Sequence, residues 1–223
     1  MRVWYVAYGS NLLRERFLLY VAGGIPAGAR RAMPGCRDTA PPQGDQPLQV
    51  RGQIRFAWES PTWGGGIAFL DPGTDGHALA RAYLVTADQF VDIATQEMHR
   101  QPGEDDIDLR PVLQKGRHAY GPGRYETLHL LGRLDGAPLL TFSADEPREL
   151  PLNAPGPAYL RILAAGLHEA HGLTPREVAA YLLTRPSVSA GWTKPALIDL
   201  IAEPGPRSAV VAACGPAGHP PLP

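Results

Sequence analysis

The stretch VWYVAYGSNLL, residues 3–13, decides the fold. β-Branched and aromatic residues dominate its first half, which predicts a central strand over residues 2–8. Gly9, Ser10 and Asn11 follow and are typical of a tight turn. Apolar residues at helical spacing predict a helix over residues 12–22, and Gly23-Gly24 would end it. The chain therefore opens as strand, tight turn and helix.

The rest of the chain mixes short strands and helices without a strict βαβ order. Patterning predicts strands at 50–58, 66–70, 78–85, 125–134, 138–142 and 208–213. It predicts helices at 86–99, 158–171, 174–185 and 196–201, with capping boxes at Thr86/Gln89 and Thr174/Glu177. Segments 33–48 and 101–123 are predicted as loops. This mixture indicates an α+β fold, with a mixed, barrel-like sheet surrounded by helices.

Composition excludes several classes of protein. Of 223 residues, 44% are hydrophobic and 19% charged, which suits one globular domain. The net charge of −1 argues against nucleic acid or an anionic membrane as partner. Cys36 and Cys214 are too far apart to indicate a zinc ribbon or a disulfide framework. No signal peptide or long apolar run is found, so we expect a cytoplasmic protein.

The sequence also lacks the motifs of common cofactor and metal enzymes. It contains no glycine-rich dinucleotide or phosphate loop and no Gly-x-Ser-x-Gly nucleophile. His168 and His171 are one residue short of the spacing of a zincin, and we expect them to be surface residues. We therefore predict no cofactor and no metal.

Glu97 is the first residue whose position suggests chemistry. It lies three, four and seven residues after Ala94, Ile93 and Phe90, so it continues the apolar face of its helix. Such a carboxylate points inward, where burial raises its pKa toward the range of a general base. The alternative is that Glu97 reaches out to water or pairs with an arginine such as Arg100.

The turn after the first strand is the second such feature. A turn between a strand and a helix presents backbone N–H groups, and Gly9 allows a ligand to come close. Ser10 and Asn11 add side-chain donors, so the turn could hold a carboxylate. The alternative is an ordinary helix cap formed by Ser10 or Asn11.

Tyr8-Gly9-Ser10-Asn11-Leu12 after an N-terminal strand resembles the signature of the γ-glutamylcyclotransferase-like superfamily. Further segments resemble that family in the expected order over residues 3–185: Trp63 to Ala68, Gln96-Glu97, Pro157 to Leu160, Gly166, and Gly172-Leu173. Where the family often has Leu-Asp-x-x-Glu-Gly, this chain reads IATQEM at 93–98. The resemblance implies a catalytic domain over 1–186. Residues 187–223 would form a Pro/Gly-rich extension that packs on the domain and frays at its end.

The resemblance also implies a reaction. A γ-glutamyl amide, such as a γ-glutamyl amino acid, a γ-glutamyl amine or glutathione, would close to 5-oxoproline and release an amine. Glu97 would be the general acid and base, and Gly9, Ser10, Asn11 and Leu12 would bind the substrate. Tyr8 and Tyr159 would shape the pocket, although an aromatic residue within a helical stripe such as Tyr159 is equally typical of a core.

Two other functions remain open from the sequence. Glu97 could activate a water molecule and hydrolyse an acyl amine, or the domain could bind an amino-acid-like metabolite without turnover. Neither the leaving amine nor the oligomeric state follows from the sequence.

Overall fold

The computed structural model describes residues 1–25, 32–104 and 107–203. Within these ranges the strands are β1 (Arg2–Ala7), β2 (Gly44–Arg51), β3 (Gln53–Ala57), β4 (Ile67–Asp71), β5 (His77–Thr86), β6 (Arg117–Ala119), β7 (Thr127–Leu134) and β8 (Ala137–Ser143). The helices are α1 (Arg14–Ala22), α2 (Ala87–Glu97), α3 (Arg110–Lys115), α4 (Pro157–His171), α5 (Pro175–Leu183), α6 (Pro186–Gly191) and α7 (Lys194–Ala202). Short 3-10 turns lie at Ser10–Leu12 and Pro147–Glu149. The predicted α+β class is confirmed.

Six strands form one mixed sheet in the order β2-β5-β1-β8-β7-β6. β1 is antiparallel to β5 and parallel to β8, so it lies at the centre as predicted. β3 and β4 pair with each other in a separate two-stranded ribbon. Because these two strands do not bridge β2 and β6, the sheet in the described ranges stays open, and the expected barrel-like closure is not found.

β1 is buried on both of its faces. Val3 and Tyr5 pack into the core beneath α1 and α2. Trp4 and Val6 pack on the other face, in the core that the β3–β4 ribbon and α4 cover. A strand buried on both sides has apolar residues at successive positions, which explains the run that opens the sequence.

The helix starts that were predicted from capping boxes agree best with the structure. Thr86 and Gln89 form both hydrogen bonds of the predicted capping box, and α2 begins at the next residue. Thr174 and Glu177 do the same before α5. A turn at Asp135-Gly136 connects β7 to β8, between the strands predicted at 125–134 and 138–142.

Other boundaries were wrong. The helix predicted at 12–22 begins at Arg14, because Leu12 belongs to the 3-10 turn and Leu13 is extended. The segment predicted as loop at 33–48 contains most of β2, an edge strand that is largely exposed and therefore lacks an apolar pattern. The strand predicted at 50–58 divides at Gly52 into the end of β2 and β3.

Three short elements were not predicted, namely α3, β6 and α6. Each has only three to six residues, too few to show a hydrophobic period. The strand predicted at 208–213 and the end of the chain lie outside the described residues.

Residues 187–203 contribute to the same core as α4 and α5. Val188 of α6 and Leu197 of α7 are fully buried, in one apolar cluster with Leu160 and Leu182. α6 and α7 therefore share a hydrophobic core with α4 and α5. None of the helices in the three described ranges is long and apolar enough to span a membrane.

Gly166 sets the distance between α4 and the turn after β1. A Cβ atom on this residue would lie 2.6 Å from the Leu12 Cβ and 2.6 Å from the Leu13 backbone nitrogen. Contacts this short cannot be accommodated unless the helix or the turn moves. The absence of a side chain at Gly166 therefore brings α4 and its Tyr159 up to residues 9–12.

We expect Gly166→Ala to lower the free energy of unfolding by about 1–3 kcal/mol, as overpacking does. The direction of this change is informative, because alanine in a helix is otherwise more favourable than glycine by up to about 1 kcal/mol. Urea unfolding measures the change, and Ala165→Ser at the adjacent exposed position is the control. An unchanged or higher stability would show that the turn is not held against α4.

Candidate active site

A cavity of about 400 Å³ opens beside the C-terminal end of α2 and the turn that follows β1. Its volume lies within the range of small-molecule sites, about 300–1,000 Å³. The walls come from β1, the turn, α1, the segment before β4, the loop before β7, and α4. Of the predicted site residues, Glu97, Tyr8, Gly9, Ser10, Asn11 and Tyr159 line this cavity.

Glu97 is the last residue of α2 and is partly buried at the cavity wall. Phe90, Ile93 and Ala94 of the same helix face are completely buried, so the face does continue into the carboxylate. The Glu97 Oε1 atom accepts a hydrogen bond of 3.3 Å from the Asn11 Nδ2 atom. Arg100, the alternative partner, forms an ion pair of 2.8 Å with Glu126.

The turn is held in place by tyrosines from the sheet. The Tyr83 hydroxyl donates to the Asn11 carbonyl oxygen at 2.8 Å. The Asn11 Nδ2 atom also donates to the Tyr5 hydroxyl at 3.1 Å. The Asn11 Oδ1 atom is buried and has no hydrogen-bond partner. Asn11 thus couples β1, β5 and α2 and retains an acceptor with which a ligand can bond.

Tyr159 reaches the cavity from α4. Its hydroxyl oxygen accepts a hydrogen bond of 3.2 Å from the Ala68 N–H and also interacts with the Ser10 backbone. A Cβ atom on Gly9 would lie 3.1 Å from this oxygen, so a larger residue would crowd it. With its oxygen accepting from backbone, the Tyr159 hydroxyl can donate its own proton into the cavity.

Two of the predicted site residues, Tyr8 and Leu12, contribute less directly to the cavity. The Tyr8 ring lines the cavity, but its hydroxyl donates to the Phe142 carbonyl oxygen at 2.6 Å. Leu12 lies in the core and does not line the cavity. The Leu12 N–H donates to the Gly9 carbonyl oxygen at 3.0 Å, so it is occupied within the turn.

Sequence reasoning missed Arg16, a half-buried residue of α1 that lines the cavity. Its Nε and Nη1 atoms are shielded from solvent and have no hydrogen-bond partner. Its guanidinium lies 5.5 Å from the centre of the Tyr20 ring and 5.8 Å from that of Trp63. The four-residue spacing of Arg16 and Tyr20 was the available signal, because it places both on one face of α1.

Arg124 was also missed, and it lies in the loop between β6 and β7. Its guanidinium stacks 3.6 Å from the centre of the Trp58 ring, and its Nη2 atom is 2.5 Å from the His99 Nε2 atom. These residues come from three separate segments, so no local pattern in the sequence could have brought them together.

Burial raises the pKa of the Glu97 carboxyl above its ordinary value of 4.5. Tyr20, Arg16 and Asn11 act in the opposite direction because they stabilise the carboxylate form. The net shift is upward, toward the operating range of a general base.

The two histidines with near-zincin spacing have structural partners. His168 is exposed, and its Nδ1 atom is 2.9 Å from the Leu173 carbonyl oxygen. His171 is only half exposed, and its Nε2 atom is 2.9 Å from the Ala80 carbonyl oxygen. Across the described ranges, no group of three or more potential metal ligands is assembled.

Comparison with known proteins finds a sequence relative in a plant. No protein-family model matches the chain. A protein of Arabidopsis thaliana named histone deacetylase 5 is 30% identical over 198 residues. The match covers 81% of this chain but 30% of that protein, so the chain spans less than a third of its relative.

Several solved structures are similar to the chain at low identity. A γ-glutamyl cyclotransferase is 17% identical with a TM-score of 0.45, covering 90% of this chain and 98% of that one. An uncharacterised human protein is 17% identical with a TM-score of 0.44, and the match covers 76% of this chain and 80% of that one. A glutathione-specific γ-glutamyl cyclotransferase from yeast is 14% identical with a TM-score of 0.33, and the match covers 90% of this chain and 95% of that one.

We expect Glu97→Gln to raise the melting temperature, and to raise it more at pH 8 than at pH 5. A carboxyl whose pKa is raised by folding binds more protons in the folded state, so it costs stability as pH rises above 4.5 through the raised pKa. Glutamine is neutral at both pH values and keeps an acceptor for Asn11. Thermal unfolding measures this, with the exposed Glu149→Gln as control. A difference that does not depend on pH would mean that Glu97 titrates normally.

Proposed function

We propose that the protein is a γ-glutamylcyclotransferase-like enzyme that converts a γ-glutamyl amide to 5-oxoproline and releases an amine. One observation carries the proposal: Glu97 and the Gly9–Asn11 turn line a single cavity, and the Glu97 carboxylate accepts a hydrogen bond from Asn11. A group that can act as general acid and base and a set of N–H donors thus line one cavity of the size of a small molecule. The signature residues and the geometry of the cavity both support the proposal.

Glu97 acts first on the attacking nitrogen in this proposal. It takes a proton from the α-ammonium group of the γ-glutamyl unit, and the resulting amine attacks the side-chain carbonyl carbon. A C–N bond forms to close the five-membered ring. The nucleophile belongs to the substrate, so the enzyme contributes orientation and proton transfer.

Other donors of the cavity stabilise the oxygen of the tetrahedral intermediate. The candidates are the Tyr159 hydroxyl and the backbone N–H of Gly9, because the Asn11 amide already donates to Tyr5 and Glu97. Glu97 then returns the proton to the leaving nitrogen, and the bond between that nitrogen and the carbonyl carbon breaks. The products are 5-oxoproline and the free amine.

We expect the purified protein to release 5-oxoproline from one or more members of a γ-glutamyl panel. Glu97→Gln should lower kcat by about 10²–10⁴-fold, the usual contribution of a general base. Mass spectrometry identifies the product, because a hydrolase would give free glutamate instead of the ring. Glu149→Gln is the matched control, and full activity in Glu97→Gln would reject the proposal.

The pH dependence of kcat/KM tests the role of the charge at Arg16. Activity should fall as pH falls through the raised pKa of Glu97, since only the carboxylate can accept a proton. Arg16 stabilises that carboxylate, so Arg16→Gln should raise its pKa further and move the acidic limb to higher pH. An acidic limb at the same pH in both proteins would show that Glu97 does not control it.

A further inference from the structure

β5 binds the backbone of the turn that follows β1. The Tyr83 hydroxyl donates to the Asn11 carbonyl oxygen at 2.8 Å and lies 3.4 Å from the Leu12 carbonyl oxygen. Two residues earlier on the same face of β5, the Arg81 Nη1 atom donates to the Leu12 carbonyl oxygen at 3.3 Å. Neither Tyr83 nor Arg81 lines the cavity. β5 therefore fixes the turn without bordering the space that a ligand would fill.

The Tyr83 side chain is held rigidly by packing. It is completely buried. Its ring stacks on the Phe17 ring of α1 with the two centroids 3.8 Å apart, and the Arg81 guanidinium lies 5.3 Å from its centre. Aromatic pairs and cation–π contacts of this kind stabilise a ring in one orientation. The hydroxyl is thus presented to the turn by contacts that do not depend on the hydroxyl itself.

Asn11 connects this contact to Glu97. Its amide nitrogen carries two hydrogens, so it donates both to the Tyr5 hydroxyl at 3.1 Å and to the Glu97 Oε1 atom at 3.3 Å. The bond to Glu97 is already longer than the usual range of about 2.7–3.2 Å, so a small shift of the turn breaks it. This bond is one of the interactions that favour the carboxylate form of Glu97. The position of the Asn11 backbone therefore affects the protonation of Glu97.

We infer that Tyr83 is a positioning residue for Glu97. Its hydroxyl holds the Asn11 carbonyl oxygen, and this keeps the Asn11 amide nitrogen on the Glu97 carboxylate. Tyr83 does not line the cavity, so it acts through Asn11 and not on the substrate. The inference rests on the proposed function, because it gives Tyr83 a part in setting the state of the proposed base.

Tyr83→Phe tests the inference, because it removes the hydroxyl and keeps the ring contacts with Phe17 and Arg81. We expect the acidic limb of the kcat/KM profile to move to higher pH, since the Glu97 carboxylate loses part of its stabilisation. At a pH on the wild-type limb, kcat/KM should fall by about 3- to 10-fold, as the loss of one hydrogen bond gives, and it should recover on the alkaline plateau. A merely structural role would lower the plateau and leave the limb in place.

A double-mutant cycle shows whether the effect passes through Asn11. Asn11→Ala removes the amide and keeps the carbonyl oxygen that Tyr83 binds. In this background Tyr83→Phe should leave the limb where it is, because no bond to Glu97 remains to be weakened, and a further shift would overturn the inference. Tyr181→Phe is the matched control and should leave the profile unchanged, since its hydroxyl binds the Leu79 N–H of the same strand at 3.0 Å, outside the cavity.

Thermal unfolding follows the titration of Glu97 without a substrate. A carboxyl whose pKa in the folded state is raised further costs more stability at pH 8. The gain in melting temperature from Glu97→Gln at pH 8 should therefore be larger in the Tyr83→Phe background than in the wild type. An equal gain in both backgrounds, or an acidic limb that Tyr83→Phe does not move, would overturn the inference and leave the cyclotransferase proposal standing. If no γ-glutamyl compound is turned over, the cyclotransferase proposal fails, and the melting temperatures still decide the role of Tyr83.

Discussion

The candidate site depends on one electrostatic constraint, a carboxylate held in a partly buried cavity. Burial disfavours the charged form of Glu97, while Asn11, Tyr20 and Arg16 favour it. The net effect is a raised pKa of the Glu97 carboxyl. An ordinary surface glutamate would be too weak a base, and a fully apolar pocket would keep the group protonated. The neighbours of Glu97 therefore matter as much as the residue itself.

The fold places these neighbours through β1. Because this strand is buried on both faces, it fixes the turn that follows it relative to both cores at once. α2 packs against β1 and β5 on one side, and α4 approaches the turn on the other. Glu97 and Tyr159, 62 positions apart in the chain, thus line one cavity.

What the sequence predicted correctly was governed by local chemistry. The turn after β1, the cap at Thr86 and the inward face of Glu97 follow from neighbours a few residues away. β2 was missed because an exposed edge strand gains its stability from pairing with β5, and that pairing leaves no apolar pattern. Arg124 was missed because its role depends on Trp58 and His99, which only the tertiary structure brings near.

Hydrogen bonds from tyrosine hydroxyls to the backbone fix the floor of the cavity, whereas loops form its rim. The hydroxyls of Tyr8, Tyr125 and Tyr159 all bond to backbone atoms, so replacing one of them would disturb the sheet as well as the pocket. The rim around Trp58 and Arg124 comes from loops instead. Substitutions can therefore accumulate at the rim, where they alter the outer part of the cavity without breaking a hydrogen bond between a tyrosine hydroxyl and the backbone.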